Sequence, residues 1–258
     1  MFRLTKWYLD LVTEQGTALI TYAAALEWSG LRVHYVSILL ARPGIPPEEH
    51  STWSDVRLPQ PDGDTLRFRH AGLPLDGEWR REAAPLDATL LDSPSGRLHW
   101  SCLQPSAAAT LEFSGETFTG RGYAECLVMT CLPWTLPFRS LRWGRFASAS
   151  SSVVWIDWNG EQPRRWVWLD GAAEPGAVLQ GGGIAGLSGG RRLRLVPVRE
   201  LCDRRSLQVI SRRLPALDAL PAGPIRNLRE AKRLDRGILY REQVPVSEGW
   251  TIHEVVTW

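Results

Sequence analysis

The chain has 258 residues, 44% hydrophobic and 22% charged, with a net charge of +2. So much apolar residue supports a sizeable core, in one large domain or two smaller ones. The balanced charge, without a long run of one sign, excludes a nucleic-acid protein held by a dedicated basic surface, and no apolar run approaches the roughly 20 residues of a membrane helix.

In chain order, residues 7–12 and 17–22 read as a hairpin around Gly16. Residues 31–40 alternate and then become continuously apolar, as a strand does on entering a core. Three prolines make 42–49 a loop. Short strands are expected at 52–58, 66–70, 88–91 and 98–103, separated by Pro-Asp-Gly, Leu-Asp-Gly and Pro-Ser-Gly turn signals. Further strands are expected at 109–113, 123–130, 141–147, 152–158, 165–169, 192–198, 207–211, 237–244 and 250–258. Helical periodicity is nearly absent, and 225–234 is the best short helix candidate. Many short strands with regular turns indicate an all-β sandwich or barrel. Thirteen tryptophans, each with an indole N–H to satisfy when buried, point to broad apolar interiors or a wide ligand cavity.

Several motifs lack the context they need. Gly181-Gly-Gly-Ile-Ala-Gly186 fits a dinucleotide fingerprint, and Gly186-Leu-Ser-Gly-Gly190 a nucleophile elbow around Ser188. Both devices require a helix opening after the motif. The sequence that follows, Arg191-Arg-Leu-Arg-Leu-Val196, reads as a strand, so a flexible loop is expected at 181–186. The histidines show no metal-ligand spacing, and no metal site is expected. His253-Glu254 pair or split across the faces of the last strand. Cys102, Cys126, Cys131 and Cys202 form no CxxC and read as reduced thiols. With no apolar leader at the N-terminus, a cytoplasmic protein is expected.

The stretch Gly120-Arg-Gly-Tyr-Ala-Glu125, continuing to Leu141-Arg-Trp-Gly-Arg-Phe146, carries the chemistry. Residues two apart in a strand share a face, so Tyr123 and Glu125 lie on one side of a sheet among small and apolar neighbours. A carboxylate so placed is either a structural acid ion-paired with Arg121 or Arg145, or a tuned proton-transfer group. His99, beside Trp100, is either a second member of the site or a barrel-wall histidine bonded to a backbone carbonyl. The whole stretch reads as a strand pair.

Taken in order, Trp7-Tyr-Leu-Asp10, His99-Trp100, Gly120-x-Gly-Tyr-x-Glu125, Leu141-x-Trp-Gly-Arg145 and Trp250-x-x-His-Glu-x-Val-x-Trp258 resemble the hydroxyneurosporene synthase (carotenoid 1,2-hydratase) superfamily. Members related to it are similar to tocopherol cyclases and lipocalin-like Diels–Alderases. The resemblance implies two tandem lipocalin-like antiparallel β-barrels, expected at 1–118 and 119–258, with an apolar cavity. It implies an acid that protonates an isoprenoid double bond, aromatic faces for the carbocation, and added water. Glu125 is then the acid, Tyr123 its orienting partner and His99 a group that positions water or shares the proton. Trp100, Trp134 and Trp143 are the candidate substrate-binding rings. No cofactor is implied, and the expected partner is an apolar, isoprenoid or polyketide-like small molecule.

The sequence departs from the hydratase pattern Gly-x-Gly-Tyr-x-Asp-His-Asn-Trp-Gly. Glu125 replaces the Asp, and Cys126-Leu-Val-Met129 replaces the polar continuation that would hold water. A binding or carrier protein without chemistry is therefore the alternative to a hydratase, cyclase or isomerase.

Overall fold

The computed structural model describes residues 2–53, 56–205 and 229–257, most of them in antiparallel strands. The chain divides into two compact units, Met1–Leu132 and Pro133–Trp258. A boundary after residue 118 would cut a strand that belongs whole to the first unit.

The first unit contains β1 (Phe2–Val12), β2 (Ala18–Trp28), β3 (Leu31–Ala41), β4 (Glu48–Thr52), β5 (Gln60–Asp62), β6 (Thr65–His70), β7 (Leu75–Arg81), β8 (Leu86–Ser93), β9 (Gly96–Phe113) and β10 (Glu116–Met129). The second contains β11 (Phe138–Ser148), β12 (Ser152–Gly160), β13 (Arg164–Leu169), β14 (Ala172–Ala173), β15 (Val178–Gln180), β16 (Gly183–Leu187), β17 (Arg191–Arg205), β18 (Arg229–Arg241) and β19 (Val244–Thr257). The strand orders are β4-β3-β2-β1-β10-β9-β7-β6-β5, with β8 also on β9, and β14-β13-β12-β11-β19-β18-β17-β16-β15. Each unit is thus a curled sheet, a half-barrel of lipocalin type, in which the first strand pairs with the last. The two units repeat one winding.

Alternation builds the cores. Trp7, Leu9 and Leu11 of β1 share a cluster with Leu19, Ala23, Val36, Ile38, Trp79 and Leu111. Phe146, Val153, Trp155, Val167, Leu193 and Leu239 form the second. Full burial of each large side chain contributes about 1.5–3 kcal/mol. The intervening residues of β1 and β12 are buried as well, so these central strands are covered on both faces.

Several expectations are corrected. Residues 98–103 and 109–113 belong to one strand, β9, which pairs with β8 over 96–102 and with β7 over 107–113. Pro105 falls where the neighbour changes, so its missing N–H breaks no ladder bond on that edge. Residues 229–234 form part of β18 rather than a helix, because pairing with β17 and β19 overrides local propensity; 225–228 and the expected strand 207–211 lie outside the described residues. Residues 56–58 are not in a strand, while Glu48 and Glu49, expected in a loop, begin β4. The glycine-rich stretch 181–186 is a tight hairpin turn and most of β16, not a flexible loop. The strands on either side of Pro133-Trp134 do not pair: β10 lies in the first sheet and β11 in the second. Among the described residues, no helix is long and apolar enough to cross a membrane.

His70 closes β6, and its Nδ1 accepts the Leu73 amide at 2.9 Å in the following turn. That bond needs the unprotonated ring nitrogen, and burial holds the imidazole below its ordinary value of 6.5. The unfolded chain therefore takes up the proton first, so this stabilisation is complete above pH 6.5 and declines as pH falls below it. Urea unfolding at pH 7.5 and 5.5 is expected to show an acid loss in the wild type that is reduced in His70→Asn.

Candidate functional site

Tyr123 and Glu125 do share a face of β10, and they touch. The Tyr123 hydroxyl donates to Glu125 Oε2 at 2.5 Å, and Trp100 Nε1 donates to the same oxygen at 2.6 Å. Trp100 thus presents its N–H edge, not its ring face, to the carboxylate.

The two glycines of the motif have packing reasons. A Cβ on Gly120 would lie 2.2 Å from the Val12 carbonyl oxygen, and one on Gly122 would lie 2.5 Å from the Trp79 ring. β10 runs in unbroken register against β1, whereas its pairing with β9 shifts on both sides of Ala124. This bulge leaves Tyr123 without a β9 partner and sets Glu125 opposite Cys102, the kind of local re-aiming for which bulges are used.

The register adds two residues that sequence reasoning missed. Tyr8 lies opposite Glu125 and Asp10 opposite Tyr123. The Tyr8 hydroxyl donates to Asp10 Oδ2 at 3.0 Å, and Asp10 is fully buried. Two tyrosine-x-carboxylate pairs therefore run antiparallel, each phenol bonding the acid of its own strand and facing the acid of the other. Cross-strand neighbours of this kind have Cβ atoms about 4.5–5.5 Å apart. The Tyr8 ring meets Tyr123 edge-on at 6.0 Å and Tyr22 at 5.4 Å. Lys6, two residues before Tyr8 on the same face, holds its ammonium 4.7 Å from the centre of the Tyr22 ring. The available signal was the repeated Tyr-x-acid spacing at 8–10 and 123–125.

Burial, the Cys102 thiol and the charge of Glu125 push the Tyr123 phenol well above its ordinary value, so it remains a neutral donor. Cys102, whose thiol donates to the Ala124 carbonyl at 3.5 Å, is raised first by burial and is held neutral. Cys126 is pushed up to about 12 by burial and by Glu125. Neither is a resting thiolate nucleophile.

Other expected site residues lie elsewhere. His99 points to the face of β9 opposite Trp100: its Nε2 is 3.0 Å from Asp87 and 3.1 Å from the Ser101 hydroxyl, with Thr89 at 3.4 Å from Nδ1. The structure does not bring it to Glu125. Its neighbours are side chains rather than the expected backbone carbonyl. Trp134 lies in a 3-10 turn (Pro133–Thr135) and Trp143 in β11, both within the second unit. Arg121 pairs with Glu82, and the buried Arg145 donates to the Trp250 carbonyl at 3.2 Å. Ser188 donates to Glu174 at 2.6 Å and takes Arg191 at 3.2 Å, a turn-binding role. His253 and Glu254 split: His253 meets Asp235 at 2.8 Å, and Glu254 meets Lys232 at 2.7 Å. Among the described residues no group of three or more His, Cys, Asp or Glu is placed to hold a metal.

Fold and site together define a tandem lipocalin-like β protein with a carboxylate–phenol cluster on its first sheet. Sequence comparison matches the chain to no family model and to no curated relative. Solved structures of similar fold include a putative AttH from Nitrosomonas europaea, with a TM-score of 0.57 and 10% identity over 98% of this chain and 92% of that one. Kievitone hydratase from Nectria haematococca gives 0.55 and 12%, over 98% and 88%. CghA gives 0.55 and 11%, over 99% and 88%. At these identities the likeness is one of fold.

Proposed function

We propose that the protein binds an apolar small molecule, isoprenoid or polyketide-like, against the Tyr8–Asp10–Tyr123–Glu125 face and transfers a proton through Glu125 in a hydration, cyclisation or isomerisation. The observation that carries this reading is the fixed carboxylate. Glu125 is oriented by two donors from different strands, which is how a proton-transfer group is held in position. Tyr123 and Trp100 orient it. The reading is supported by the motif resemblance to carotenoid hydratases and by a fold shared with a protein named as a hydratase, kievitone hydratase.

A carrier without turnover is the second reading, favoured by the apolar run Cys126-Leu-Val-Met129 beyond the acid. Mass spectrometry of apolar compounds that co-purify with the protein identifies candidate ligands. Glu125→Gln, which preserves shape, is then expected to keep binding and lose conversion. Unchanged conversion of every accepted compound would remove Glu125 from the chemistry, and binding without conversion by the wild type would establish the carrier.

A further inference from the structure

We infer that Glu125 acts as a base on a C–H bond made acidic by a neighbouring carbonyl, with Lys6 meeting the resulting enolate, so that the substrate is an apolar enone or ketone and not an unfunctionalised polyene. This rests on reading Glu125 as the proton-transfer residue.

The donors on Glu125 Oε2 favour one direction of proton transfer. Indole N–H is only a donor, so the Glu125 oxygen that Trp100 meets at 2.6 Å accepts and does not carry a proton towards the ring. Tyr123 donates to the same oxygen. Donors to a carboxylate favour its charged form, and the Tyr123 O–H is committed to that same oxygen. Protonating an isolated double bond needs a group that carries a proton at rest and polar neighbours to hold water. Glu125 Oε2 is arranged as an acceptor, and the positions after it are Cys126, Leu127, Val128 and Met129.

A carboxylate can remove a proton from carbon only where the departing charge is delocalised onto oxygen, and that oxygen needs a cation or donor. Lys6 supplies one. It is one of two lysines in the chain, with Lys232, and it lies on the face of β1 that carries Tyr8 and Asp10. It is opposite Leu127, one step along the face from Glu125. Diagonal neighbours across an antiparallel pair are about 7–8 Å apart, somewhat less between Cβ atoms, and the flexible four-carbon stem of Lys6 lets its ammonium turn from the Tyr22 ring, where it rests, toward the Glu125 side.

In the step, a Glu125 oxygen takes the proton from the carbon α or γ to the carbonyl. The C–H electron pair becomes a carbon–carbon double bond (for a γ proton, with the α,β π pair shifting one bond toward the carbonyl), and the carbonyl π pair moves onto oxygen beside the Lys6 ammonium. Return of the proton to the γ or α carbon restores the carbonyl. Atoms and electrons balance without an oxidant or cofactor.

The test uses the full chain in D2O with β-ionone, a conjugated isoprenoid ketone, and with limonene, whose double bonds are isolated. NMR reads deuterium at carbon, and quenching of tryptophan fluorescence reads binding. The wild type is expected to accelerate exchange at the methyl carbon α to the carbonyl of β-ionone and to leave limonene unchanged. Glu125→Gln should reduce exchange to background. Lys6→Met should lower it roughly 10²-fold with binding retained, and Lys6→Arg should restore part of it. No exchange of β-ionone above background overturns the inference, as does Lys6→Met exchanging like wild type. Glu125-dependent deuteration or hydration of limonene also overturns it, while preserving Glu125 as the proton-transfer residue. β-Ionone exchange that survives Glu125→Gln overturns the underlying reading instead.

Discussion

Asp157→Ala is expected to destabilise the second unit by about 3 kcal/mol, because breaking a buried ion pair leaves uncompensated charge. Asp157 is 2% exposed on β12. Its Oδ2 accepts Arg142 Nε at 2.9 Å from β11, and its Oδ1 accepts Arg165 Nε at 2.7 Å from β13. One carboxylate therefore ties three adjacent strands. Removing it sets two guanidiniums facing each other across the vacated position. The loss falls at the low end of the range of about 3–5 kcal/mol for such pairs because both arginine side chains are roughly one-third exposed and can turn to water. Asp157→Asn, which keeps the shape and one acceptor, should lose less. Urea midpoints of the three proteins check the order, and equal midpoints would mean that water serves the arginines as well as Asp157 does.

The fold class was legible in the sequence because alternation and turn residues are local signals. Strands whose apolar residues are spaced by charge or glycine were not. β7, Leu-Asp-Gly-Glu-Trp-Arg-Arg, reads as a turn followed by polar chain, yet its inward residues are Leu75, Gly77 and Trp79. The Leu-Asp-Gly turn signal fails there because Gly77 is used for space: a Cβ on it would lie 2.6 Å from the Trp79 ring.

The site was half legible for a related reason. Tyr123 and Glu125 follow from alternation within one strand, and the same rule applied to His99 and Trp100 separates them onto opposite faces. Adjacency in sequence had suggested the reverse. Tyr8 and Asp10 become members only through the β1–β10 register, a pairing between the two ends of the first unit that no local pattern specifies. The Trp143-Gly-Arg145 motif, read as chemistry, is explained at its glycine by packing: a Cβ on Gly144 would lie 2.1 Å from the Trp155 ring.

Trp79 joins that packing to the site, and Trp79→Ala is expected to cost about 3–5 kcal/mol, the range for emptying a buried large aromatic position. The ring is fully buried, enclosed by Gly77 on its own strand and Gly122 on β10. Its Nε1 donates to the Asp10 carbonyl at 2.7 Å, fixing the backbone of the residue whose carboxylate holds Tyr8. The substitution therefore removes core volume and also takes the indole donor from a strand carbonyl beside the site. Trp79→Phe keeps most of the volume and loses the N–H, so it separates the two contributions. It should fold with a smaller loss in urea and show weaker ordering of Tyr8 and Tyr123, read as faster ring flipping by NMR. If Trp79→Phe matched wild type in both measurements, the indole bond would have no part in setting the site, and the glycines of the motif would serve core packing alone.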